Sequence, residues 1–294
     1  MTRPVIVGLD GFPESRAAAE WGAGEAQLRK APLRLVHVEE WPVPAAVALP
    51  ALDREAHRRW ADGFLREAAE DVRRRHPDLD VTTRRLAGRT AAALGIEAAG
   101  GQLLVLGSRG LGAVTGFLLG SIGTATIGVT DTPVVLVRAS RTPEPAQDTA
   151  TPYKDVIVGV DVQETGDSVL EFAFDEAERR GCGIRAVHGW TLPFAFGYAP
   201  VLDPGVAQEV ADVVSRRLGD VLLPWRQRYP GVKVEERALV GAPAEQVLYE
   251  SAAGADLIVV GRRIRRSPVG GHLGHVAHAV IHHATVPVAV VAHD

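Results

Sequence analysis

The sequence predicts an α/β protein of two tandem domains, each a doubly wound parallel sheet of five strands, and three observations carry that prediction. The 294-residue chain is long for one ordinary domain and right for two of about 150 residues. One unit is written twice: VIVGLD (Val5–Asp10) returns as VIVGVD (Val156–Asp161), and Val36-His37 returns as Val187-His188, both 151 positions later. RRHPDLDV around Pro77 matches RQRYPGVKV around Pro230, and Gly88 matches Gly241, at a spacing of 153. LLVLG ending at Gly107 and TPVVLV around Pro133 return at 154, as LIVVG ending at Gly261 and VPVAVV around Pro287. So small a drift across a whole domain marks a duplication. Within each copy, short apolar runs alternate with helical patterns, which implies right-handed crossovers and an open parallel sheet.

Taken in order, Val5–Leu9, Leu33–Val38, Val81–Leu86, Leu103–Leu106 and Val134–Val137 read as strands, being short, β-branched and apolar on both faces. Between them Trp60, Phe64, Ala68 and Val72 recur every four residues, and Val206, Val210, Val214, Leu218 and Val221 form the corresponding stripe of the second copy. Such stripes belong to helices that cover a sheet. Residues from Ala139 to Lys154 hold three prolines and no apolar periodicity, which is a linker pattern. The expected division is a first domain over 1–139, a linker over 140–154 and a second domain over 155–294.

Composition narrows the function classes. Thirty-two basic against 36 acidic residues leave a formal charge of −4, so no overall positive field gathers nucleic acid or an anionic membrane surface, and any anion site is local. The single cysteine, Cys182, excludes an intrachain disulfide framework and fits a reducing compartment. No run approaches the roughly 18 apolar residues of a membrane span, so the sequence reads as soluble and cytoplasmic.

The segment from Leu106 to Thr126, LGSRGLGAVTGFLLGSIGTAT, carries the chemistry. Ligands of such sheets bind beyond the carboxyl ends of the strands, where the winding reverses. With strands 1 and 4 as neighbours, Asp10 and Gly107 emerge side by side there. Gly107 and Gly110 let backbone approach a phosphate closely, while Gly120-Ser121 starts the last helix, whose free N–H groups favour an anion.

Gly107-x2-Gly110-x9-Gly120-Ser121, set between VIVGLDG, the VHV strand, the Gly88 segment and TPVVLV, resembles the ATP-binding signature of the universal stress protein family. The resemblance covers nearly the whole chain, twice. It implies an adenine-nucleotide alpha-hydrolase-like sheet of strand order 3-2-1-4-5, with ATP, carried with Mg2+, in the crevice. Leu9, Asp10 and Val38 would flank adenine and ribose, and Gly107, Arg109, Gly110, Gly120, Ser121 and Ile122 would surround the phosphates. It further implies a nucleotide-dependent regulator of the stress response, with at most slow ATP hydrolysis and a homodimer as one assembly. The alternative is an interaction scaffold that works without nucleotide.

The second copy departs from the signature. Gly261-x2-Ile264-x9-Gly274-His275 keeps the spacing, but a β-branched residue replaces the second glycine and a histidine replaces the serine. Asp161, Gly261, Arg263, Gly274 and His275 form the weaker candidate site, with Arg262, Arg263, Arg265 and Arg266 as local positive charge. Rival motifs fail on position. Gly110-x-Gly112-x3-Gly116 with Arg138 imitates a nicotinamide-cofactor loop, which belongs after a first strand, as does the HxGH of His272–His275. His275, His278 and His282 share a helix face but match small or polar residues in the first copy, and read as a solvated face, not metal ligands. Trp21, Trp41, Trp60, Trp190 and Trp225 are scattered and read as core and interface. No placed general base emerges.

Overall fold

A computed structural model of the chain describes residues 2–40, 51–108, 121–139, 152–164, 166–191, 204–264 and 273–294, with the side chains of 51–54 and 204–207 excepted. Its elements fall into two compact units. The first contains β1 (Val5–Gly8), α1 (Pro13–Leu28), β2 (Leu33–Glu39), α2 (Ala51–Arg75), β3 (Val81–Ala87), α3 (Thr90–Ala98), β4 (Leu103–Ser108), α4 (Ser121–Val129) and β5 (Val134–Arg138). The second contains β6 (Val156–Gly159), α5 (Asp167–Arg180), β7 (Ile184–Trp190), α6 (Pro204–Arg228), β8 (Val234–Val240), α7 (Pro243–Ala252), β9 (Leu257–Arg263), α8 (His275–His283) and β10 (Val288–His293). Strand order is β3-β2-β1-β4-β5 in the first and β8-β7-β6-β9-β10 in the second, the 3-2-1-4-5 arrangement expected. Every pairing within a unit is parallel. Most of the linker expected at 140–154 lies outside the described residues.

The central strands form because their residues are apolar on both faces. Val5, Ile6 and Val7 of β1 and Val156, Ile157 and Val158 of β6 are wholly buried, each such side chain contributing about 1.5–3 kcal/mol. Pro13 supplies a fixed φ at the first turn of α1, and Gly181, left-handed at φ 64°, ends α5. Of the stripe expected on α2, Val72 is buried, but its other members are each displaced by one residue: Ala61, Leu65 and Ala69 are buried, while Trp60 is half exposed. The reason is geometric. A step of four residues overshoots the 3.6-residue turn by about 40°, so the row that begins at Trp60 starts well off the buried face and reaches it only at Val72.

Several polar contacts recur at matching positions. Glu97 of α3, buried, accepts from Arg34 Nη1 at 2.9 Å and Arg84 Nη1 at 2.8 Å. Its counterpart Glu250 meets Arg185 at 3.3 Å and Arg237 at 3.8 Å. Glu25 pairs with Arg29 at 2.5 Å on α1, and Glu176 with Arg180 on α5. Gly88 and Gly241 both adopt positive φ, 128° and 137°, in the turns after β3 and β8. These carboxylates are buried because each carries its own counter-charge.

Gly107 is required by packing. A Cβ there would stand 2.6 Å from the carbonyl carbon and oxygen of Glu14 and 2.8 Å from the nitrogen of Ser15. The first turn of α1 therefore lies directly on the end of β4.

Gly107→Ala should destabilise the chain by about 1–3 kcal/mol, because backbone cannot yield as a side chain can. Gly24→Ala, in the interior of α1 with open space around its Cβ position, should stabilise by about 0.5–1 kcal/mol. Urea unfolding of the two variants checks the pair. Burial pushes the Cys182 thiol up to about 11, so its alkylation by iodoacetamide at pH 8 should be about tenfold or more slower than that of an unstructured cysteine, and should accelerate as pH rises towards that value.

Candidate functional site

The first crevice lies where the sheet reverses its winding. Gly8 stands opposite both Val36 of β2 and Leu106 of β4, so Leu9-Asp10 and Gly107-Ser108 leave neighbouring strands at the same end. Val38 lies two residues past Val36. Leu9 is fixed from both sides: its N–H donates to the Val36 carbonyl, and its own carbonyl accepts Nδ1–H of His37, each at 2.8 Å. A carbonyl can only accept, so this contact places a ring proton on Nδ1.

Asp10 is exposed, and its Oδ1 accepts the N–H of Phe12 at 3.1 Å across Gly11, whose φ is 88°. This is an Asx turn, and it sets the carboxylate at the crevice mouth. Ser121 and Ile122, both exposed, open α4, where first-turn N–H groups lack intrahelical acceptors. Leu9 is buried and Val38 half-buried. Of the remaining candidates, Arg109, Gly110 and Gly120 lie outside the described residues. Gly107 has its missing Cβ accounted for by α1, whereas the sequence alone assigned that freedom to phosphate approach.

Two features were not assigned to this site by sequence, where Arg138 entered only through the rejected nicotinamide motif and Trp60 only as core. Arg138, the last residue of β5, stands in register with Ser108 of β4. It is half-buried, and burial lowers the pKa of its guanidinium, which nevertheless stays cationic at physiological pH. Its counterpart in the second copy is Ala292, and that asymmetry was the available signal. The other is aromatic. Trp60, assigned to the core by its spacing, touches Gly11: a Cβ on that glycine would lie 3.5 Å from indole Cη2 and Cζ2.

The second crevice repeats the frame and alters the contents. His188 Nδ1–H donates to the Val160 carbonyl at 2.8 Å, and Asp161 Oδ1 accepts the N–H of Gln163 at 2.9 Å. α5 starts about a turn later than α1, and the space that helix backbone fills over Gly107 is filled over Gly261 by the His293 imidazole, with Nε2 2.8 Å from the Cβ position. Arg263, expected to face phosphate, forms an ion pair with Glu164. Glu164 occupies the position of Pro13 in the first copy, a substitution that the motif comparison passed over because it lies outside the motif. Arg262 is buried, and Arg265 and Arg266 lie outside the described residues. Gly274 caps α8 without a side-chain hydrogen bond, and His275 after it is exposed.

Among the described residues, no three His, Cys, Asp or Glu side chains gather to hold a metal ion. The imidazoles of His278 and His282 pack with ring centroids 4.3 Å apart, and partial burial, then the charge of His282, lowers the pKa of His278. No helix of the described residues is long and apolar enough to cross a membrane.

Known proteins match this arrangement along its length. The model of the universal stress protein family matches residues 1–138 and 152–292. A universal stress protein of Mycobacterium tuberculosis H37Rv is 33% identical over 312 residues, covering 97% of this chain and 94% of the relative. One from Mycolicibacterium smegmatis is 34% identical over 292 residues, covering 98% and 96%. The crystal structure of a universal stress protein from Archaeoglobus fulgidus superposes with a TM-score of 0.72 at 18% identity, covering 99% of each chain. With both copies matched and relatives aligned nearly end to end, the chain belongs to the universal stress protein family.

Proposed function

We propose that the first half, residues 1–139, is an ATP-binding regulatory module, joined by the segment 140–154 to a second half, 155–294, that does not bind nucleotide productively. The observation that carries this reading is the contrast between two crevices built on one frame. The first keeps the glycine–serine signature, a half-buried Arg138 and a proline where the second has Glu164. The second offers a phosphate a carboxylate already paired with the arginine it would need.

The residues of the first crevice suit the ligand. Asp10 at the mouth can accept from ribose hydroxyls. Leu9 and Val38 supply apolar surface, and the α4 terminus with Ser121 and Ile122 supplies N–H donors, together with Gly107, Arg109, Gly110 and Gly120 of the signature. Arg138 supplies a cation that sheds little hydration on meeting phosphate, since burial has already removed much of it. Mg2+ would be carried by the triphosphate itself and would offset its charge, since no three His, Cys, Asp or Glu side chains gather for it among the described residues. Asp161, Gly261, Arg263, Gly274 and His275 form at most a salt-sensitive anion site. The protein acts in the cytoplasm as a nucleotide-dependent regulator of stress response with at most slow hydrolysis, and a homodimer is compatible with this reading.

Calorimetry should give about one ATP per chain, with an affinity little changed between low and moderate salt, because backbone donors at short range are screened less than exposed charges. Gly110→Ile, which copies Ile264 into the first half, should weaken ATP binding about tenfold or more while leaving the unfolding midpoint nearly unchanged. Two equivalent ATP molecules per chain, or unaltered affinity in Gly110→Ile, would overturn the assignment. Mass spectrometry of nucleotide released from the purified protein gives an independent check.

A further inference from the structure

We propose that Phe12 and Trp60 form the surface on which the nucleobase stacks in the first crevice, and so set its preference for purine nucleotides; this rests on the nucleotide reading above. Both side chains are large, apolar and half exposed, Phe12 at 49% and Trp60 at 50%. Both flank the same short turn: Phe12 follows it, and the indole edge lies against Gly11 at its centre. That turn carries Asp10, so the two rings border the crevice mouth.

The indole is positioned by rings of α2 and β2. Phe64 lies parallel to it, with ring centroids 5.6 Å apart and planes 8° from parallel, and His37 meets it edge-on at 5.7 Å and 78°. His57, tilted by 37° at 5.5 Å, completes the ladder along α2. His37 is the residue whose Nδ1–H bonds the Leu9 carbonyl, so one side chain fixes both the strand end and the indole. A ring positioned this way loses little freedom on binding, and base–aromatic stacking accepts any planar base but favours the larger purine face.

The second copy acts as an internal control. It keeps the equivalent histidine, carbonyl and Asx turn, so the frame does not need the aromatic rings. In their places stand Gln163 for Phe12, Val213 for Trp60, Val210 for His57 and Arg217 for Phe64. At these four positions the copy whose glycine signature is intact carries rings, and the other copy carries none.

The test is titration of the full chain and of Trp60→Ala, Trp60→Phe and Phe12→Ser with ATP, CTP and inorganic tripolyphosphate, the last a probe with no base. Phe12 is the N-cap residue of α1, where serine is favoured, so Phe12→Ser removes a ring without threatening the fold. Trp60→Ala and Phe12→Ser should each weaken ATP binding about tenfold, narrow the difference between ATP and CTP, and leave tripolyphosphate affinity unchanged. Trp60→Phe should retain ATP affinity within about threefold and lose most of the ATP-induced quenching of tryptophan emission. Equal ATP affinity in wild type, Trp60→Ala and Phe12→Ser overturns the stacking assignment and leaves the nucleotide reading standing. So does a wild-type protein that binds tripolyphosphate as tightly as ATP. A wild-type chain that binds neither ATP nor tripolyphosphate overturns the nucleotide reading, and the stacking assignment with it.

Discussion

The crevice depends on one hydrogen bond, made once in each half: the imidazole Nδ1–H of the second strand to the carbonyl just beyond the first. In β1 and β6 the regular ladder ends at Gly8 and Gly159, yet Leu9 and Val160 are held by His37 and His188 at 2.8 Å in both copies. A buried carbonyl left without a donor would cost about 1–3 kcal/mol. With the donor supplied, the strand end keeps its direction, and the aspartate after it turns back on a fixed base. The position of the crevice therefore follows from side-chain chemistry at a strand terminus.

The same economy explains why this domain tolerates charge in its interior. Glu97 and Glu250 each tie a helix to two strands through arginines from the second and third strands. Removing both arginines would leave the buried carboxylate desolvated and unpaired, which is strongly destabilising. Both copies retain them, although identity elsewhere has drifted far. The outer strands β3 and β8 are thereby fixed by ion pairs where their own residues are too exposed to be fixed by burial.

The sequence made the fold legible because its signals were redundant. Five short β-branched runs, the duplicated VIVG strand and the alternation with helices each imply the parallel sheet, and an error in one is corrected by the others. The stripe on α2 had no such support, and the every-fourth reading put Trp60 where Ala61 belongs. The candidate site was legible only in part. Asp10, Gly107 and Ser121 belong to a motif with fixed spacing, so they could be named. Glu164, Arg138 and Trp60 act across 99, 30 and 49 residues of chain respectively, against Arg263, Ser108 and Gly11. Nothing in local pattern announces such pairings. Each of the three differs in chemistry from its counterpart in the other copy, Pro13, Ala292 and Val213.

That comparison separates what the frame needs from what a ligand needs, and the Glu164–Arg263 pair shows how the separation works energetically. Both side chains are roughly half exposed, and a pair of that kind contributes about 0–1 kcal/mol to folding. Stability alone would hardly maintain it. Its effect on an incoming phosphate is larger than its effect on the fold: the anion must displace a carboxylate from the arginine and then remain beside it, so attraction is lost and repulsion gained in one step. Proline at the matching position in the first copy offers neither charge nor N–H, and it starts α1 early enough for its backbone to close over Gly107. A single position thus decides the local field of one crevice and the helix start beside the other. Two crevices with the same strands, the same Asx turn and the same histidine differ chiefly in the residues that meet the solvent at their mouths, which is where a difference in ligand would be written.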